Sequence, residues 1–133
     1  DDAVTEEGPK YFNLGIDKTF LYPHELKDDV VYLTEGELDA LLLRSYGLPG
    51  YSLTCGAGSC PHSLIDTMKS CKAVVVLYDR DDAGQQGQKR IVRRLEKHTT
   101  VITPSWEVGK DLTEFYQSDM EEFNRWLQSV VQL

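Results

Sequence analysis

The sequence predicts an α/β domain: an open, mainly parallel sheet of about four strands with helices on both faces. Three observations carry this. Strand-like and helix-like segments alternate along most of the chain, the pattern of layered α/β architecture. The run AVVVLY at 73–78 is continuously apolar rather than alternating, as a parallel strand covered on both faces requires. The segments between strands are long enough to carry a helix each, which right-handed parallel crossovers need.

The elements follow in order. Residues 10–13 (KYFN) and 18–22 (KTFLY), with NLGID between them and Pro23 after, are expected to form an arm or short hairpin. This divides the chain into an N-terminal arm, 1–28, and a core domain, 29–133. VVYLT at 30–34 is a buried strand. Gly36 marks the turn after it, and ELDALLLRSYG reads as a helix closing at Gly47, with Leu38, Leu41 and Leu42 as the expected buried stripe. GYSLTC at 50–55 is a short strand, GAGSCPH a loop, and 63–70 a short helix. After the strand at 73–79 comes a helix over 83–97 with Ile91, Val92 and Leu95 facing inward and Asp82 as its expected cap. VITP at 101–104 is the fourth strand. Asp111 is placed to cap a short helix, with Glu114 three residues on. A last helix over about 119–131 turns Phe123, Trp126, Leu127, Val130 and Val131 inward.

Composition narrows the class. With 133 residues, 41% apolar and 27% charged, the chain reads as one soluble globular domain with a real core. No apolar run is long enough to span a membrane. The acidic start, DDAVTEEGPK, lacks the pattern of a signal peptide. Three cysteines, an odd number, suggest free thiols in a reducing compartment, so a cytoplasmic location is expected. Cys55 and Cys60 have no His–Cys pattern near them, and Cys71 reads as packing. The absence of an initial Met suggests a piece of a longer protein. A net charge of -8 argues against a general coating of phosphates. Yet Lys89, Arg90, Arg93, Arg94 and Lys97 fall within nine positions, and a basic helix face of this kind can track a phosphate backbone.

The chemistry is expected at the strand ends, where open α/β sheets collect their ligands. Glu35 directly follows the first parallel strand. Asp79 ends the third, with Asp81 two residues later in DRDDAG. Carboxylates that converge repel one another. A hard divalent cation with oxygen ligands, Mg²⁺ or alternatively Mn²⁺, relieves that repulsion and leaves positions open for phosphate oxygens. Asp39, one turn into the first helix, can point back at the same place. Gly84 and Gly87 allow close backbone approach, and Lys110 can meet a phosphate as a point charge. Trp106 and Tyr116 are read as packing before base stacking, and no histidine has ligand spacing. There is no phosphate-binding loop of the ATPase type and no dinucleotide fingerprint.

In this order the motifs LTEGELDALLL (33–43), VVVLYDRDDAGQQGQKR (74–90) and TPSWEVGKDLTEFY (103–116) resemble the Toprim domain. That module is shared by bacterial primases, topoisomerases and some nucleases. The resemblance implies a compact Toprim-type, Rossmann-like fold. Glu35, Asp79 and Asp81 match the positions at which the family holds its metal. Asp39, in EG-x-x-D, and Gly109-Lys110-Asp111 match primase forms, as does D-x-D-x-A-G. The resemblance therefore implies a DNA primase or phage-type primase-helicase. Its catalytic residues would be Glu35, Asp39, Asp79 and Asp81, and phosphate contacts would come from Lys89, Arg90, Arg93 and Lys110. Its partners would be a single-stranded DNA template, nucleoside triphosphates and other domains of the same protein. The alternatives are a Toprim nuclease, which cuts DNA with metal alone, and a non-catalytic docking module of a replication protein, which need not bind metal.

Overall fold

The computed structural model describes residues 21–22, 28–53 and 62–133. Five strands, β1 (Leu21–Tyr22), β2 (Val30–Thr34), β3 (Gly50–Leu53), β4 (Ala73–Leu77) and β5 (Thr100–Ile102), form one sheet in the order β1-β3-β2-β4-β5. The four from β2 to β5 are parallel, as predicted. The short β1 adds an antiparallel edge, with Leu21 opposite Leu53 and Tyr22 opposite Ser52. The remainder of the expected N-terminal hairpin, and the loop with Cys55 and Cys60, lie outside the described residues.

Strand alternation splits the core into two layers. Val31, Leu33, Val74, Val76 and Tyr78 face α2 (His62–Met68) and α3 (Asp82–Leu95), where Met68, Ile91 and Leu95 meet them. Tyr32, Val75 and Leu77 face the other way. There they are covered by α1 (Glu37–Ser45), α4 (Leu112–Ser118) and α5 (Met120–Val131) through Leu43, Leu112, Phe115, Phe123 and Leu127. Both faces are thus buried, which explains the unbroken apolar runs of β2 and β4. Cys71 is a buried free thiol just ahead of β4, and burial raises its pKa.

Three details differ from the sequence reading. Helix α1 buries Asp39, Ala40 and Leu43, while Leu38 is 71% and Leu41 44% exposed; of the expected stripe only Leu42 packs against the core. The reason is close packing on β3, where Gly50 leaves room for the Ala40 carbonyl: a Cβ there would lie 2.6 Å from that oxygen. Val131 is exposed, because Phe123, Leu127 and Val130 already define the inner face of α5. Helix α3 is capped by Asp81 rather than Asp82. Asp81 has the extended backbone of a cap and accepts from the Gly84 N–H at 2.8 Å, so Asp82 becomes the first helical residue.

Candidate metal centre

Strand order locates the site. From β2 the chain moves through α1 to β3 on one side; from β4 it moves through α3 to β5 on the other. Those helices cover opposite faces. The C-terminal ends of β2 and β4, which are neighbours, therefore open the crevice that forms wherever strand order reverses. Glu35 follows β2, and Asp79 stands just beyond β4. Glu35 Oε1 accepts the backbone N–H of Asp79 at 3.2 Å, joining the two strand ends.

Asp39 and Asp79 meet there, and Asp111 joins them from the loop between β5 and α4. Each of the three offers a carboxylate oxygen within 4.8 Å of the others. Asp39 is only 3% exposed. Its Oδ1 accepts from the Thr113 N–H at 3.0 Å and the Thr113 hydroxyl at 2.5 Å, a link that ties α1 to α4. Asp111 Oδ1 caps α4 by accepting from the Glu114 N–H at 2.8 Å.

Helix α3 supports Asp79 from behind. Gln88 accepts the Tyr78 N–H through Oε1 at 3.1 Å, and Gln85 donates Nε2 to the Asp79 carbonyl at 2.9 Å. Gly84 lets the helix approach: a Cβ built on it would lie 2.3 Å from the Asp79 carbonyl oxygen. That is the close approach for which the sequence called on a glycine here.

The electrostatics follow from the crowding. Burial, and then the carboxylates of Glu35, Asp39, Asp111 and Asp81, push the Asp79 pKa from 3.8 up to about 7. Burial also raises Asp39, and the Asp111 carboxylate adds to it. Hydrogen bonds from Thr113 and the Leu112 backbone act the other way. The donor set is all carboxylate oxygen and carries more negative charge than it can hold at low cost. Both properties fit a hard divalent cation.

The sequence-predicted residues divide accordingly. Asp39 and Asp79 are in the trio, and Glu35 is bonded to Asp79 through its backbone. Asp81 stands at the rim, with Oδ1 engaged as the α3 cap. Asp111 is the member that the sequence reading treated as a cap and a motif match only. Lys89, Arg90, Arg93 and Lys110 are exposed. The three on α3 lie along a helix that leads away from the crevice, Lys89 about 10 Å from its start. Trp106 and Tyr116 pack against the core, as expected.

A family model described as Toprim-like matches residues 32–116, the span that holds Glu35, Asp39, Asp79, Asp81 and Asp111. The chain belongs to the Toprim-like family. Among solved structures, this Toprim-like chain is similar to the Aquifex aeolicus primase (zinc-binding and RNA polymerase domains), with 29% identity and a TM-score of 0.61, over 76% of this chain and 26% of that one. It also shares its fold with the primase fragment of the bacteriophage T7 primase-helicase, at 20% identity and a TM-score of 0.56, over 82% of this chain and 46% of that one. The Toprim-like chain thus spans less than half the length of either structure. Comparison with curated proteins found no match. Among the described residues, no helix is long and apolar enough to cross a membrane.

Proposed function

We propose that this Toprim-like domain is the catalytic domain of a DNA primase, which makes RNA primers on single-stranded DNA by metal-dependent nucleotidyl transfer. The observation that carries the proposal is the meeting of Asp39, Asp79 and Asp111, with Glu35 beside them, at the switch point between β2 and β4. The likeness to the Aquifex aeolicus primase supports primase over other Toprim activities.

Glu35, Asp79 and Asp81 would hold Mg²⁺ or Mn²⁺, assisted by Asp39 and by Asp111. When bound, such a cation supplies charge neutralisation at the reacting phosphate and favours ionisation of the attacking hydroxyl. The chain's own contribution is placement. Gln85, Gln88 and Gly84 fix the Asp79 backbone, and Thr113 fixes Asp39 through two hydrogen bonds to its Oδ1. In the reaction, the primer 3′-oxygen bonds to the α-phosphorus of a nucleoside triphosphate, the bond to the bridging oxygen breaks, and pyrophosphate leaves. Lys110, at the rim, would meet nucleotide phosphates. Lys89, Arg90 and Arg93 would follow the template backbone. The remaining domains of a primase or primase-helicase would complete the template path.

The test is incorporation of labelled ribonucleotides on single-stranded DNA with Mg²⁺ or Mn²⁺, in the chain and in its full-length parent. Template-dependent incorporation, lost in Glu35→Gln and Asp79→Asn with the fold intact, is the expected result. Cutting of DNA without nucleotides would move the assignment to a nuclease. Retained synthesis in Asp79→Asn would sink it. No uptake of millimolar divalent ion would leave a docking module.

A further inference from the structure

Asp111 comes to the trio on a loop, and the residue next to Asp79 holds that loop. The Arg80 backbone N–H donates to the Lys110 carbonyl at 2.7 Å. Its guanidinium Nη1 donates to the Gly109 carbonyl at 2.8 Å. Arg80 thus grips two successive carbonyls just ahead of Asp111. Gly109 is shaped for this grip: its φ is +84°, and a Cβ there would lie 2.8 Å from the Phe115 nitrogen. On the far side, the Lys110 N–H donates to Glu114 Oε1 at 2.8 Å, and Glu114 in turn donates its N–H to the Asp111 carboxylate. The strand-end loop after β4 and the loop after β5 are thereby stitched together.

We infer that Arg80 is a positioning residue of the metal centre: its side chain clamps the 109–111 loop to the end of β4 and so brings the Asp111 carboxylate to Asp39 and Asp79. The inference rests on the metal reading of the trio. A clamp and a simple charge make opposite demands. As a bare cation beside an acidic cluster, Arg80 would repel an incoming divalent ion, and its removal would tighten binding. As a clamp it assembles the site, and its removal weakens binding. A hydrogen bond of this kind is worth about 2- to 12-fold in an equilibrium constant.

The experiment is Mn²⁺ titration, followed by calorimetry, of the whole chain and of Arg80→Ala, Arg80→Lys, Asp111→Asn and the Arg80→Ala/Asp111→Asn pair. Amide hydrogen exchange is measured without metal on the same proteins. Arg80→Ala is expected to weaken Mn²⁺ binding about 3- to 10-fold, and Arg80→Lys, which keeps a donor, to recover most of it. Asp111→Asn is expected to weaken binding in the parent chain and to have under about a twofold effect once Arg80 is gone, because the two act through one loop. Exchange at Thr113 and at the position-80 amide should speed up about fivefold or more in Arg80→Ala. Equal or tighter Mn²⁺ binding in Arg80→Ala, or an undiminished Asp111→Asn effect in that background, overturns the inference. If the parent chain takes up no Mn²⁺, the metal reading fails by itself. The exchange measurement still decides the clamp: unchanged protection at Thr113 overturns it, and faster exchange supports it.

Discussion

Asp79 carries the sharpest consequences of crowding. Its carboxyl ionises near 3.8 in an unfolded chain and at about 7 in the folded, metal-free one. Between those values the folded state binds more protons than the unfolded, so stability falls as pH rises across that window. Thermal melts in chelator should show this fall, and Asp79→Asn should flatten it. At pH 8 without metal, that variant should melt higher. After allowance for solvent screening at a half-buried group, the gain is about 1–2 kcal/mol, or roughly 3–8 °C. The same substitution should abolish Mn²⁺ uptake, so stability and function move in opposite directions at one residue. Thr113 makes the complementary case. Thr113→Val removes the hydroxyl bond to the buried Asp39 and should cost about 1–3 kcal/mol in denaturant melts, whereas Thr113→Ser should stay close to the parent.

At the scale of elements, caps and close contacts separate structure from chemistry. Helices α4 and α5 are both capped by aspartate, Asp111 and Asp119. Asp119→Ala should cost about 1 kcal/mol and leave Mn²⁺ affinity unchanged; a loss of affinity there would mean that α5 is coupled to the site. Gly84→Ala drives a Cβ into the Asp79 carbonyl and should cost about 1–3 kcal/mol while also weakening the metal. The sequence showed β2 and β4 plainly, because strands buried on both faces leave unbroken runs of Val and Leu. It misled at α1, since ELDALLLRS has leucines at four positions that span more than one face. Periodicity alone cannot choose among them, and the face that won is the one that carries Asp39 into the crevice. Asp111 was visible as a cap, and that role accounted for it fully in one dimension. Its second role depends on a contact between residues 74 apart, Thr113 and Asp39, which no local pattern encodes. The strand-end positions of Glu35 and Asp79 and the turn position of Asp81 were legible because strand ends and a D-x-D turn are local features.

Across the whole molecule, charge is segregated. The net value of -8 coexists with a cationic face on α3 and an acidic crevice at its N-terminal end. On the proposed primase reading, binding of single-stranded DNA should therefore be weak, local and sensitive to salt. Replacing Lys89 and Arg93 together by Ala should reduce the magnitude of the log–log salt slope by about 1.4; an unchanged slope would place the DNA elsewhere. The two tryptophans are segregated as well. Trp106 and Trp126, the only two in the sequence, form one edge-to-face pair with ring centres 5.7 Å apart. The Trp126 indole N–H donates to the Ser105 carbonyl, on the same loop that delivers Asp111. All indole fluorescence of the chain therefore originates beside that loop. Excitation at the red edge of the absorption band turns this pair into a built-in optical gauge, and a spectral change on adding Mg²⁺, which does not itself quench, reports the movement of that loop without a label.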